Sequence, residues 1–371
     1  MATVLRRPRV ALPIVLALAL AAFGVATADA MAHSPRALYS MTNSPAGNAV
    51  KVFHRSGGGS LSPGGEFATG GLGTGTSLGN QGGLVLDGKR LFAVNAGSDS
   101  ISSFRVRGDG LELIDTDPSG GDQPISLAVD DGLLYVLNAG GTANITGHAI
   151  SRPGALSPLV GSTRPLSAPA PGPAQISFDP RGKTLVVTEK DTNLIDTYEV
   201  DPRTGLASGP NAQPSAGTTP FGFAFDKRGH LIVSEAFGGA ADASAVSSYE
   251  VDDGLITPIT ASAATTETAA CWIVVTKNGR FAYTTNTGSA SISGYAVGRG
   301  GELSLLDADG RTGLTGPGPI DMALTGNGRF LYSLNSGDGT ISGFRVAADG
   351  DLDPIGGASG LPATANGLAA R

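Results

Sequence analysis

A short apolar, β-prone run that ends in a polar residue comes back again and again along this chain. Its clearest copies are Leu91-Phe92-Ala93-Val94-Asn95, Leu134-Tyr135-Val136-Leu137-Asn138 and Leu331-Tyr332-Ser333-Leu334-Asn335. Weaker copies end at Asn43, Glu189, Glu235 and Asn286, so successive end points lie 52, 43, 51, 46, 51 and 49 residues apart. Self-similarity at such a period means repeated supersecondary units that bury their apolar faces on one another.

Each unit carries the same punctuation. A first apolar strand, such as Ile176-Ser177-Phe178, meets a Gly-containing turn (Asp87-Gly88, Asp131-Gly132, Arg181-Gly182, Arg228-Gly229, Asn278-Gly279, Asn327-Gly328). The apolar second strand follows, then a third of alternating pattern, as in Ile292-Ser293-Gly294-Tyr295 and Ile341-Ser342-Gly343-Phe344. A further glycine turn opens a fourth strand near Leu61, Leu111, Leu156, Leu206, Leu255, Leu303 and Leu352. Short runs bounded by Gly, Asp and Asn are hairpin signals. Four strands per unit and seven units predict an all-β fold: a seven-bladed β-propeller with four antiparallel strands per blade. The 56 glycines and 23 prolines fit this hairpin-rich design, and they count against a helical protein, since Gly costs about 1 kcal/mol per helix-interior site. The N-terminal unit begins at its second strand, Leu38 to Thr42, and Thr364–Ala369 reads as a first strand with no second. Together they complete one blade, so the C-terminal strand closes the ring on the N-terminal blade and leaves no open edge between first and last blade.

Residues 1–30 read differently. Arg6, Arg7 and Arg9 precede an apolar run from Val10 to Ala26, and Ala28-Asp29-Ala30 supplies small residues for cleavage. This is a secretory signal pattern, so residues 31–371 are expected as a single propeller domain, periplasmic or extracellular, with no membrane span after cleavage. A retained anchor is the alternative. The net charge of −7, with no basic cluster, excludes nucleic acid as a partner. The single cysteine, Cys271, excludes an intrachain disulfide.

Strand direction then places two sets of residues at one mouth of the central channel. The inner strands begin at Gly83, Ser126, Gln175, Gly222, Trp272, Asp321 and Gly367; the second strands end at Asn43, Asn95, Asn138, Glu189, Glu235, Asn286 and Asn335. A polar ring around a concavity, with the one Trp of the chain, suits a small molecule. Glu189 and Glu235 are the candidate general bases. Asn138, Gln175, Lys190, Trp272, Asn286, Asp321 and Asn335 are the candidate ligand contacts. No Cys/His metal motif is present and no resident cofactor or metal is expected, although the Glu and Asn oxygens can share a divalent cation at the mouth. The bland reading of the ring is that Asn and Glu at strand ends bind loop backbone. For Trp272 a ligand platform and a channel plug are equally open.

Blade text such as Pro173-Ala174-Gln175-Ile176-Ser177-Phe178-Asp179-Pro180-Arg181-Gly182-Lys183, with the Leu-Tyr-Val-Leu-Asn second strands, resembles the lactonase family of seven-bladed propellers. That family includes a bacterial 6-phosphogluconolactonase and the fungal carboxy-muconate cyclase, and it is akin to YVTN-repeat surface propellers. The resemblance implies a lactone hydrolase, a carboxylic ester hydrolase, acting at the channel mouth. Competent members carry Pro-Arg-His or Pro-His-x-His where inner strands start. The corresponding segments here are Pro173-Ala174-Gln175 and Pro124-Ile125-Ser126, without the imidazole and basic groups. Two functions therefore compete. One is an exported, 6-phosphogluconolactonase-like hydrolase; the other is a non-catalytic secreted or envelope propeller that binds a small molecule or an extracellular protein. A monomer is expected in either case.

Overall fold

The structure is a computed structural model that describes residues 1–2, 36–108 and 110–371. The export signal read over residues 1–30 lies, apart from Met1 and Ala2, outside the described residues. From residue 36 onward the chain builds seven antiparallel sheets of four strand positions each. Blade 1 joins Asn366–Ala370 to Ala37–Met41, Ala49–Arg55 and Leu61–Ala68. The inner strands of blades 2 to 7 are Leu84–Asp87, Pro124–Asp130, Pro173–Phe178, Pro220–Phe225, Ala270–Val275 and Pro319–Leu324. Blades 3 and 6 split their outer position into two short strands, Leu156–Pro158 with Arg164–Pro165 and Leu303–Leu305 with Gly313–Leu314. Among the described residues the helical content is one 3-10 turn, Phe237–Gly239.

Burial explains the order of strands. Five of the seven second strands are buried along their whole length, as in Phe330–Asn335 and Thr184–Glu189, and the other two are half-buried only at their first residue, because both faces pack on neighbouring blades. The outer strands are mostly exposed, as in Leu61–Ala68. Buried tyrosines tie the blades together. Tyr135 Oη donates to Gly205 O of the next blade at 2.7 Å, Tyr283 Oη donates to Gly350 O at 2.7 Å, and Tyr332 Oη donates to Gly59 O of blade 1. Each bond satisfies a turn carbonyl that buried chain would otherwise orphan.

The predicted ring closure is present. Leu38 pairs with Ala370, Tyr39 with Ala369 and Ser40 with Leu368, in antiparallel register. Arg371 N donates to Ala37 O and Arg55 Nη2 donates to Arg371 O, each at 2.8 Å.

Candidate functional site

A loop clamp recurs where each inner strand begins. In blades 3 to 7 the second residue after the second strand donates its N–H to a residue four before the inner-strand position. The pairs are Gly140 N to Asp122 O, Asp191 N to Pro171 O, Phe237 N to Thr218 O, Gly288 N to Thr268 O and Gly337 N to Pro317 O. The corresponding inner-strand residues are Ser126, Gln175, Gly222, Trp272 and Asp321. In blade 2 the same clamp is Gly97 N to Leu72 O, yet the inner-strand position, Gly83, lies eleven residues on rather than four. The extra chain leaves the rim and crosses the axis.

This strap, Gly79 to Gly83, bonds to inner strands or their flanks on opposite sides of the ring. Lys190 Nζ of blade 4 donates to Gly79 O at 2.6 Å, and Trp272 Nε1 of blade 6 donates to Asn80 O at 2.7 Å. Asn366 Nδ2 of blade 1 donates to Asn80 Oδ1 at 3.0 Å, and Asn80 Nδ2 donates to Ile125 O of blade 3. Gln81 N donates to Ala174 O at 3.1 Å, and Ser126 Oγ donates to Gln81 O at 2.6 Å. The chain itself therefore fills this mouth.

Below the strap, side chains at the inner-strand position of blades 3, 4 and 7 lock each to the next blade. Ser126 Oγ accepts from Ile176 N at 3.1 Å. Gln175 makes two bonds to Phe223, donating to its O at 2.9 Å and accepting from its N at 2.7 Å. Asp321 Oδ2 accepts from Leu368 N at 2.9 Å, and its Oδ1 accepts from Met322 N at 2.7 Å. Full burial pushes the Asp321 carboxyl up to about 8. Blade 5 carries Gly222 at this position and cannot reach across. Gln81 of the strap takes the vacant place, donating to Ile273 O at 2.8 Å and accepting from Ile273 N at 3.0 Å, the same two bonds that Gln175 makes one blade earlier. A Cβ on Gly222 would fall on Gln81 Oε1 and stand 2.7 Å from Cys271 O.

Trp272 is 3% exposed, and its ring centroid lies 4.9 Å from that of Phe221. Lys190 Nζ sits 5.0 Å above the Phe221 ring, and desolvation lowers its pKa. Lys190 and Trp272 thus anchor the strap from two blades, and Phe221 of the blade between them packs against both. Cys271 is buried, and that burial pushes its thiol up to about 11.

The second-strand ends do not line the mouth. Apart from Asn43, whose Nδ2 donates to Thr76 O at 2.7 Å and whose Oδ1 accepts from Thr74 N at 2.9 Å in the segment leading to the strap, their side chains turn outward into their own blades. Asn95 Nδ2 donates to Ser102 Oγ at 2.8 Å, Asn286 Nδ2 donates to Ser291 Oγ and Ser293 Oγ at 3.0 and 2.9 Å, and Asn335 Nδ2 donates to Thr340 Oγ1 and Ser342 Oγ at 2.9 Å. Asn138 Nδ2 reaches Asn144 Oδ1 at 3.0 Å and Thr146 Oγ1 at 3.2 Å. Most of these pair a strand-end amide with a hydroxyl seven residues on in the third strand.

Glu189 and Glu235 occupy the same place and are equally buried. Glu189 accepts from Ser167 N at 3.0 Å, from Ser167 Oγ and from Thr192 Oγ1. Its third-strand partner is Asp196 instead of a hydroxyl. Ser167 N also donates to Asp196 Oδ2 at 3.1 Å, so two carboxyl groups meet at one N–H. Burial and the Glu189 carboxylate push Asp196 up to about 8, so one proton stays on the pair at neutral pH. Glu235 accepts from Gly217 N and Ser262 Oγ at 2.8 Å and from Ser247 Oγ. Desolvation raises its pKa against the pull of these donors. Among the described residues no group of three or more His, Cys, Asp or Glu is placed to hold a metal.

Fold and axis together define a closed seven-bladed propeller with a self-occupied mouth. A profile described as Lactonase, 7-bladed beta-propeller matches residues 70–365, and the chain belongs to that family. No curated protein matches the chain. Among solved structures, a protein provisionally assigned as a 6-phosphogluconolactonase from Bacteroides fragilis superposes with a TM-score of 0.68 at 21% identity, covering 92% of this chain and 99% of that one. A second such protein, from Bacteroides uniformis, gives 0.73 at 19% identity, covering 90% and 99%. A periplasmic gluconolactonase from Pseudomonas aeruginosa gives 0.68 at 18%, covering 89% and 98%. At these identities the likeness is one of fold.

Proposed function

We propose that this lactonase-family propeller is an exported binding or interaction scaffold whose central channel serves as a structural axis. The observation that carries this reading is the strap. Residues 79–83 take up the polar groups of the mouth, and Glu189 and Glu235 spend their acceptor positions on protein donors inside the blades. A general base has to reach its substrate within hydrogen-bond distance, and these two are buried away from solvent. Fold alone does not specify chemistry. The partner is a small molecule or an envelope or extracellular protein, bound by a monomer, and no divalent cation is required.

Export is supported by the signal pattern over residues 1–30. Among the described residues, no helix is long and apolar enough to cross a membrane. Intact-mass measurement of protein from a secreting host should give a chain starting at Met31; a full-length, membrane-associated species would refute cleavage.

Lactone hydrolysis is the second reading. It is favoured by the family match and by carboxyl groups of raised pKa on adjacent blades, at Asp196 and Glu235. In it, Glu189 or Glu235 takes a proton from water that attacks the lactone carbonyl. Purified protein tested on sugar and phosphosugar lactones decides between the two. No turnover above the spontaneous rate is expected. Turnover that disappears in Glu189→Gln or Glu235→Gln would establish the hydrolase.

A further inference from the structure

The face of the disc opposite the strap carries the turns between inner and second strands. In four blades these turns share one architecture, in which an anchor residue receives the turn N–H and bonds the start of the second strand. The anchors are Asp179, Asp226, Thr276 and Thr325. In blades 4 and 5 the anchor is a carboxylate that also faces the turn's own arginine. Asp179 lies 2.9 Å from Arg181, and Asp226 lies 3.7 Å from Arg228 and 3.0 Å from His230. The cleft between these two blades is further lined by Glu250 and Asp252.

Blades 6 and 7 repeat the turn as Thr276-Lys277-Asn278-Gly279-Arg280-Phe281 and Thr325-Gly326-Asn327-Gly328-Arg329-Phe330. Threonine replaces the carboxylate in both. Thr276 Oγ1 and Thr325 Oγ1 still order the turn, each bonding the Asn two residues on at 2.8 Å. They leave the charge uncompensated: among the described residues Lys277, Arg280 and Arg329 form no ion pair, and no acidic residue lines their cleft of about 500 Å3. Arg280 is held 5.0 Å over the Phe281 ring and Arg329 5.6 Å over Phe330, which restrains both guanidinium groups. In a chain of net charge −7, three unopposed cations around one concavity form a local inversion of sign.

We propose that the cleft between blades 6 and 7 binds a small, multiply charged oxyanion, a phosphoryl or polycarboxylate group, gripped by Arg280, Arg329 and Lys277. Guanidinium forks match such groups in two-bond geometry, and the neighbouring lysine adds a point charge. The site lies on the face opposite the strap and does not depend on whether the channel is catalytic.

Isothermal titration of the whole mature protein at low ionic strength, with pyrophosphate and separately with citrate, tests the proposal and distinguishes the two chemistries. One equivalent of at least one anion should bind. The double variant Thr276→Asp, Thr325→Asp restores the internal counter-charge of blades 4 and 5 on an unchanged turn, and should weaken binding by roughly tenfold or more. Arg280→Gln with Arg329→Gln should do the same, while Arg181→Gln in the balanced cleft should leave binding as it was. Thermal melts would confirm that each variant is folded. Absence of binding by the wild type, or equal binding by both folded double variants, would overturn the proposal.

Discussion

A single missing side chain organises the axis. Gly222 cannot reach the next blade, and Gln81 does so in its place. Gly222→Ala should therefore destabilise the protein by about 1–3 kcal/mol, because the methyl group has to displace Gln81 or the Cys271 carbonyl. Gln81→Ala should cost a similar amount, about 1–3 kcal/mol, by orphaning Ile273 N and O; urea unfolding of both variants measures the two losses. The buried carboxyl pair makes a different demand. Burial and the adjoining Glu189 carboxylate hold one proton on the Asp196–Glu189 pair in the folded protein until about pH 8, whereas the unfolded chain releases it near the ordinary value of 3.8. The folded state binds more protons between these values, so this contribution to stability falls as pH rises across that window and is level above it. Asp321 acts in the same direction. Asp196→Asn, which mimics the protonated acid, should flatten the decline and gain most over wild type near pH 8; an unchanged pH profile would show that the pair is not protonated in the fold. These local arrangements were poorly legible in the sequence. The Asn/Glu ring was visible as a repeat, but strand direction says only where a residue's backbone lies. Whether its side chain faces the axis or the third strand depends on the hydroxyl seven residues on, which the pairs Asn286–Ser293 and Asn335–Ser342 show in retrospect.

At the level of strands and turns, periodicity was a reliable guide. Apolar second strands ending at Asn95, Asn138 and Asn335 lie where the repeat placed them, because burial on both faces leaves few other ways to satisfy such runs. The strap was the element that escaped. Its trace was the longest spacing in the repeat, from Asn43 to Asn95, which by itself reads as ordinary loop variation. Only the clamp from Gly97 to Leu72 shows that the surplus lies before the inner strand and points at the axis. The tyrosine ties between blades predict a graded effect. Tyr283→Phe removes the donor to Gly350 O and should cost about 1–3 kcal/mol, read as a lower urea midpoint with the slope unchanged.

For the whole molecule, closure of blade 1 is the decisive contact. Removing residues 361–371 takes away the inner strand of that blade, the Asn366 bond to the strap and the Arg55 bond to Arg371 O. Such a truncation should melt well below the full chain in one transition; an unchanged melt would mean that the ring does not need its clasp. The clasp also imposes an order in time. Ala37–Met41 waits for a partner more than three hundred residues further along, so six blades must be laid down beside a bare strand edge before the last can form. Nothing distinguishes the chain's own Asn366–Ala370 from that of a neighbour at that moment. Refolding at high protein concentration should therefore yield exchanged dimers, each completing the other's first blade, and dilution before refolding should suppress them.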